Sequence, residues 1–176
     1  MNSKNLSPKF IFISSAIGIA AVSRLLPHLP NFTPVAAIAL FGGAYLNDRK
    51  AAFLIPFIAL ILSDLFLGFS ASTPAVYMCF AVTVFIGQFI RNKVSAVSVG
   101  AASMLSSVIF FLVTNLPIWY LSEGLYPATL AGTAASYTAA IPFFGYSLLG
   151  DLVYSTVLFS AFAVAQKNIP QLSKSL

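Results

Sequence analysis

The sequence predicts an all-α integral membrane protein, a single transmembrane domain over residues 1–176 built from six spanning helices with both termini cytoplasmic. Three observations carry that expectation. Hydrophobic residues make up 59% of the chain and charged residues 7%, against about a quarter charged in soluble domains. Mean hydropathy is +0.94. The 176 residues leave room for six helices of about 20 residues with short connections, and no soluble appendage.

The elements follow in order. A polar tail with Lys4 leads into Lys9 and a first helix over 10–26, which contains Ala16-x-x-x-Ala20. This run lacks a small-residue cleavage site and is followed by further spans, so it reads as a retained helix. Arg24-Leu-Leu-Pro-His28-Leu-Pro-Asn31-Phe-Thr-Pro34 then interrupts the apolar sequence. Three prolines in so short a stretch forbid a continuous helix, since each lacks an N–H and disfavours αR in the residue before it. Pro34 suits the first turn of a second helix over 34–46, capped by Asn31 or Thr33. That helix is short for a span, and Ala36, Ala39 and Gly43 share one face of it, which predicts close packing against neighbours. Helices over 51–69, 75–90, 94–120 and 137–166 follow, the fifth bent or ended by Pro117. The longest loop is expected over 121–136.

The basic residues test this map. With the N-terminus inside, Lys4, Lys9, Arg49, Lys50, Arg91, Lys93, Lys167 and Lys174 all fall on the inner side, leaving only Arg24 of the nine outside. Basic residues at helix ends also account for the pI near 9.5 without nucleic acid as a partner. One cysteine forbids an internal disulfide.

That topology gathers polar and aromatic residues at the outer mouth of the bundle. The candidate ligand-binding set is Cys79, His28, Asn31, Asp64, Tyr77, Asn115, Trp119, Tyr120 and Tyr146, around a pocket open to the outside. The competing reading for Trp119, Tyr120 and Tyr126 is an interfacial aromatic belt. Arg24 and Asp64 lie at similar depth, as an ion pair or as ligand contacts. Asp151 sits near mid-depth, with no second charge there to continue a proton pathway. Cys79 is either a small packing residue or a soft metal ligand. One Cys and one His cannot close a metal site, but one of them suffices as axial ligand to a metal already held in a macrocycle, a corrinoid or a haem.

The run Arg24 to Gly43, RLLPHLPNFTPVAAIALFGG, and the later Leu62-Ser-Asp-Leu-Phe-Leu-Gly-Phe69 resemble a small family of six-span bacterial proteins. That family is related to the substrate-binding S-components of energy-coupling-factor vitamin transporters, and its described branch takes up cobalamin without coupling subunits. The resemblance covers essentially the whole chain. It implies an S-component-like bundle in the bacterial cytoplasmic membrane with an outward-facing pocket for a micronutrient. It further implies Cys79 as the axial ligand of the corrin cobalt, and Ala16 and Ala20 as the docking stripe for a coupling subunit. The expected function is vitamin uptake, with cobalamin as transported ligand and lipid as surroundings. The alternatives are another micronutrient with Cys79 structural, an intramembrane enzyme modifying a bound corrinoid, and a membrane scaffold. No Gly-x-x-x-x-Gly-Lys-Ser/Thr loop occurs, so the chain has no P-loop ATP site. Active transport would draw on partner subunits, and a solitary protein would facilitate or trap. No obvious inverted repeat supports a rocking transporter.

Overall fold

A computed structural model describes residues 7–172, and every regular element in it is helical. The six α-helices are α1 Pro8–Ser23, α2 Val35–Tyr45, α3 Arg49–Leu67, α4 Thr73–Ile90, α5 Ala96–Thr114 and α6 Leu130–Asn168. Short 3-10 turns at Arg91–Lys93, Pro117–Glu123 and Pro170–Leu172 complete it. Helices α3, α4, α5 and α6 are long and apolar enough to cross a bilayer, whereas α1 and α2 are shorter apolar helices. Lys4 and Lys174, assigned to the inner side above, lie outside the described residues.

The bundle is arranged around its shortest helix. At 11 residues α2 is about 16 Å long, yet it meets each of the other five helices and buries Ala37 through Ala44 without interruption. A helix apolar on every side belongs inside, where neighbours and not solvent cover it. The expected packing through Ala39 and Gly43 is present, both being buried. Its tightest crossing is with α4. A Cβ on Gly43 would lie 3.1 Å from the Gly87 Cα and still closer to the Val84 carbonyl oxygen, and one on Gly87 would lie 3.0 Å from the Gly43 Cα and overlap the Leu40 carbonyl. Two glycines therefore bring the helix backbones into direct contact.

Arg91 ties the same two helices together at one end. Its Nη2 donates to the carbonyls of Gly43 (3.0 Å) and Leu46 (2.6 Å), and its Nη1 to that of Asn47 (3.1 Å). The guanidinium thus satisfies carbonyls that the end of α2 leaves without intrahelical partners.

Three boundaries differ most from the sequence expectation. The second helix begins at Val35 with Pro34 at its N-cap and no side-chain cap, so neither Asn31 nor Thr33 caps it; the turn at Asn31 is closed by backbone hydrogen bonds instead. The fifth helix ends at Thr114, well before residue 120, because Pro117 cannot continue it and opens a 3-10 turn instead. The sixth begins at Leu130, inside the region expected to be loop. Thr129 caps it, its side chain accepting from the Gly132 N–H at 3.1 Å. The small residues after that cap propagate the helix, and it runs through Pro142 to reach 39 residues, about 58 Å.

The outward surface is strongly apolar, with Phe66, Phe89, Val97 and Leu130 between 79% and 89% exposed. Of the stripe expected to dock a coupling subunit, Ala20 is buried and Ala16 is partly buried against the core.

Candidate ligand cavity

The connections after α1, α3 and α5 meet at one end of the bundle, called here the Asn31 end. The opposite end is marked by Arg91. At the Asn31 end a cavity of about 370 Å3 lies between Asn31, Ser72, α5 and the first half of α6, with Asn115, Tyr120 and Tyr126 on its wall. Asn31, Val76, Phe110 and Ser147 also line a second, deeper space of about 170 Å3, so the two are lobes of one site. The deep lobe is bounded by Arg24, Cys79, Thr83, Ser106 and Asp151.

Asn31 stands at the junction of the lobes with φ 61°, the only non-glycine residue with positive φ among the described residues. Asn tolerates this left-handed conformation better than most residues, and such geometry concentrates where the surrounding structure imposes it. Here the turn is held by Phe32 N–H donating to Leu29 O (3.0 Å) and Thr33 N–H to Asn31 O (3.1 Å). It rests on α6 at Gly150, where a Cβ would come within 3.1 Å of the Phe32 Cα, and the Phe32 ring packs on Tyr154 at 5.5 Å. Asn31→Gly is expected to keep the fold, while Asn31→Val is expected to lose about 1–3 kcal/mol, the cost of a β-branched residue in this region. Thermal unfolding of the two variants in detergent checks this, and equal melting temperatures would refute it.

Behind the deep lobe sits a polar cluster. Arg24 Nη1 pairs with Asp64 Oδ1 at 2.8 Å and also donates to the Ser63 hydroxyl. Tyr77 OH donates to the other carboxylate oxygen of Asp64 at 2.9 Å. The cluster joins α3, α4 and the end of α1 through mutually satisfied charges, as intramembrane ionisable groups require. Arg24 Nε is buried without a hydrogen-bond partner. The Ser106 hydroxyl, on α5, is in the same state.

Cys79 is 3% exposed on the wall of the deep lobe, and the hydroxyl of Thr83 donates to its carbonyl at 3.0 Å. Among the described residues, no three His, Cys, Asp or Glu side chains come together as a metal cage. Asp151 faces the same lobe and accepts from the Ser107 hydroxyl at 2.6 Å.

The structure brings together four of the nine sequence-predicted residues, Cys79 and Asn31 in the deep lobe and Asn31, Asn115 and Tyr120 at the mouth. Asp64 and Tyr77 stand behind the wall and hold Arg24, which lines it. The others lie apart from the cavity. His28 is exposed, with Nδ1 2.9 Å from the neighbouring Leu29 carbonyl. Trp119 Nε1 donates to Val113 O at 2.7 Å, and Tyr146 is 41% exposed on the outside of α6. Tyr120 lines the mouth with its OH donating to Thr114 O at 2.9 Å. Sequence reasoning missed Thr83, Ser106 and Ser147. The serine spacing on α5, at 103, 106 and 107, was a visible signal, a hydroxyl face on an otherwise apolar helix.

Residues 4–172 match a family described as a family of unknown function, DUF6580. The chain belongs to that family. No curated protein and no solved structure matches the chain.

Proposed function

We propose that the chain is a multi-pass protein of the bacterial cytoplasmic membrane that binds and takes up cobalamin through the cavity at the Asn31 end, with Cys79 ligating the corrin cobalt axially. The observation carrying this reading is the position of Cys79, the one cysteine, on the wall of a deep lobe that continues into an open mouth. A single soft donor without companion ligands suits a metal whose remaining ligands arrive with it in a macrocycle. Asn31, Asn115 and the unpartnered Arg24 Nε offer hydrogen bonds to an amide-fringed corrin.

Six spans with a cytoplasmic Arg91 end complete the reading. Arg49, Lys50, Arg91, Lys93 and Lys167 cluster at or beside that end, while Arg24 at the other end is neutralised by Asp64. Helices α1 and α2 complete the six by packing against the longer four, with α2 shielded on all sides. Energy for accumulation comes from partner subunits or from ligand trapping.

The deep lobe, at about 170 Å3, is smaller than the roughly 300–1,000 Å3 of ordinary ligand pockets. A corrin face reaches Cys79 only when that lobe widens. The same small volume favours a second reading, a smaller micronutrient with Cys79 as a packing residue. Cobalamin titration of purified wild-type and Cys79→Ala protein separates them, followed by absorbance and calorimetry. Tight binding with a changed corrin spectrum, weakened by at least about tenfold (1.4 kcal/mol) in Cys79→Ala, is expected. Binding unaffected by the substitution would remove the cobalt bond, and no binding to either protein would remove cobalamin. Turnover beyond one equivalent would mark an enzyme acting on the corrinoid.

A further inference from the structure

Helices α5 and α6 meet along a face unlike the rest of the interior. Apart from Ser63 and Asp64 of the Arg24 cluster and Thr83, every polar residue buried as a whole among the described residues lies on these two helices, while Ser14, Gln88 and Arg91 bury single polar atoms elsewhere. Ser103, Ser106 and Ser107 are 1%, 2% and 0% exposed, and Asp151 and Ser155 are 5% and 2% exposed. Spacings of three and four residues place each set on one side of its helix. Polar groups inside spanning bundles either tie helices together or mark a solute path.

Two observations favour a path. The stripe has a cavity at each end. Ser106 and Asp151 border the deep lobe, and Ser103 and Ser155 border a separate cavity of about 480 Å3 at the Arg91 end. Between them stand two hydrogen bonds, Ser107 Oγ to Asp151 Oδ2 at 2.6 Å and Ser103 Oγ to Ser155 Oγ at 2.8 Å. The second observation is Ser106. Its buried hydroxyl has no partner, whereas a hydroxyl serving only as a tie would be bonded.

We infer that the α5–α6 seam is the route by which a solute held in the cavity crosses to the Arg91 end, closed in this structure by the Ser107–Asp151 and Ser103–Ser155 pairs. The inference rests on the uptake reading above. The solute class is one with a hydrogen-bonding rim of amide or hydroxyl groups, which exchanges partners with successive serines as it moves. Passage requires α5 and α6 to part, and the two pairs re-form behind the solute.

The test uses full-length protein in proteoliposomes with cyanocobalamin as probe, reading binding and lumenal accumulation on the same preparation. In Ser103→Cys/Ser155→Cys the thiols replace hydroxyls whose oxygens are 2.8 Å apart, and oxidation bridges the seam. Binding is expected to stay at the wild-type level while accumulation falls to that of protein-free vesicles, and reducing the bridge before loading restores it. Ser155→Leu needs no bridge. It fills the seam on the Arg91 side of the ligand cavity and is expected to give the same split, retained binding showing that the variant is folded. Wild-type accumulation by both closed variants overturns the route and leaves the uptake reading standing. A wild-type protein that binds no cyanocobalamin overturns the uptake reading, and the route with it.

Discussion

Replacing Gly87 with alanine, a single added methyl group, is expected to destabilise the protein by about 3 kcal/mol, the upper end of the range for overpacked cores. The added Cβ would lie 3.0 Å from the Gly43 Cα and overlap the Leu40 carbonyl. Both are backbone atoms, so no side-chain rotation relieves the clash, and α2 and α4 must separate. Separation is costly because α2 is the helix that every other helix meets. It would also draw Arg91 away from the three carbonyls it satisfies. Gly100→Ala is the matched control. A Cβ there meets nothing within 4 Å, so the substitution is expected to stabilise α5 by about 0.5–1 kcal/mol through better helix propensity. Thermal unfolding in detergent reads both. Equal shifts for the two variants would mean that the crossing is looser than described.

Removing one member of the Arg24–Asp64 pair is expected to cost about 3–5 kcal/mol, because the remaining charge stays buried without its counter-ion. Asp64 is 7% exposed and would keep the Tyr77 hydroxyl but lose the guanidinium it pairs with. Arg24→Ala should therefore lower the melting temperature sharply, as should Asp64→Ala. Arg24→Met/Asp64→Leu should recover most of the loss, since an apolar pair of similar volume has no charge to compensate. A double variant no better than the worse single one would show that the pair does more than neutralise itself. Ligand binding distinguishes that case. Arg24 lines the deep lobe, so on the proposed uptake reading the recovered double variant is expected to fold well and to bind cobalamin poorly.

Much of the architecture was legible because composition and spacing speak directly to it. The apolar runs located six helices, and the Pro-rich stretch located the turn between α1 and α2. The small residues on one face of α2 anticipated its central burial. The Arg24–Asp64 ion pair was one of the two readings that similar depth and opposite charge offered. The reach of α6 was not foreseen, because residues 130–136 contain small and hydroxyl residues that read as loop until Thr129 supplies a cap. The site was only partly legible. Cys79, Asn31, Asn115 and Tyr120 line the cavity, but Tyr146 lies on the outer face of α6, and His28 points its ring at the adjacent backbone carbonyl.

By itself, then, the sequence determined the apolar, all-helical class, the six α-helices and where the basic residues fall along them. These depend on residue type and on spacing along the chain. Only the tertiary structure decided which side chains share a cavity, that Gly43 and Gly87 meet, and that the α5 serines face Asp151 and Ser155. Such choices depend on the rotation of each helix about its axis. A helix as apolar on one side as on the other carries no amphipathic signal to set that rotation, which is settled by the close packing of small residues between neighbouring helices.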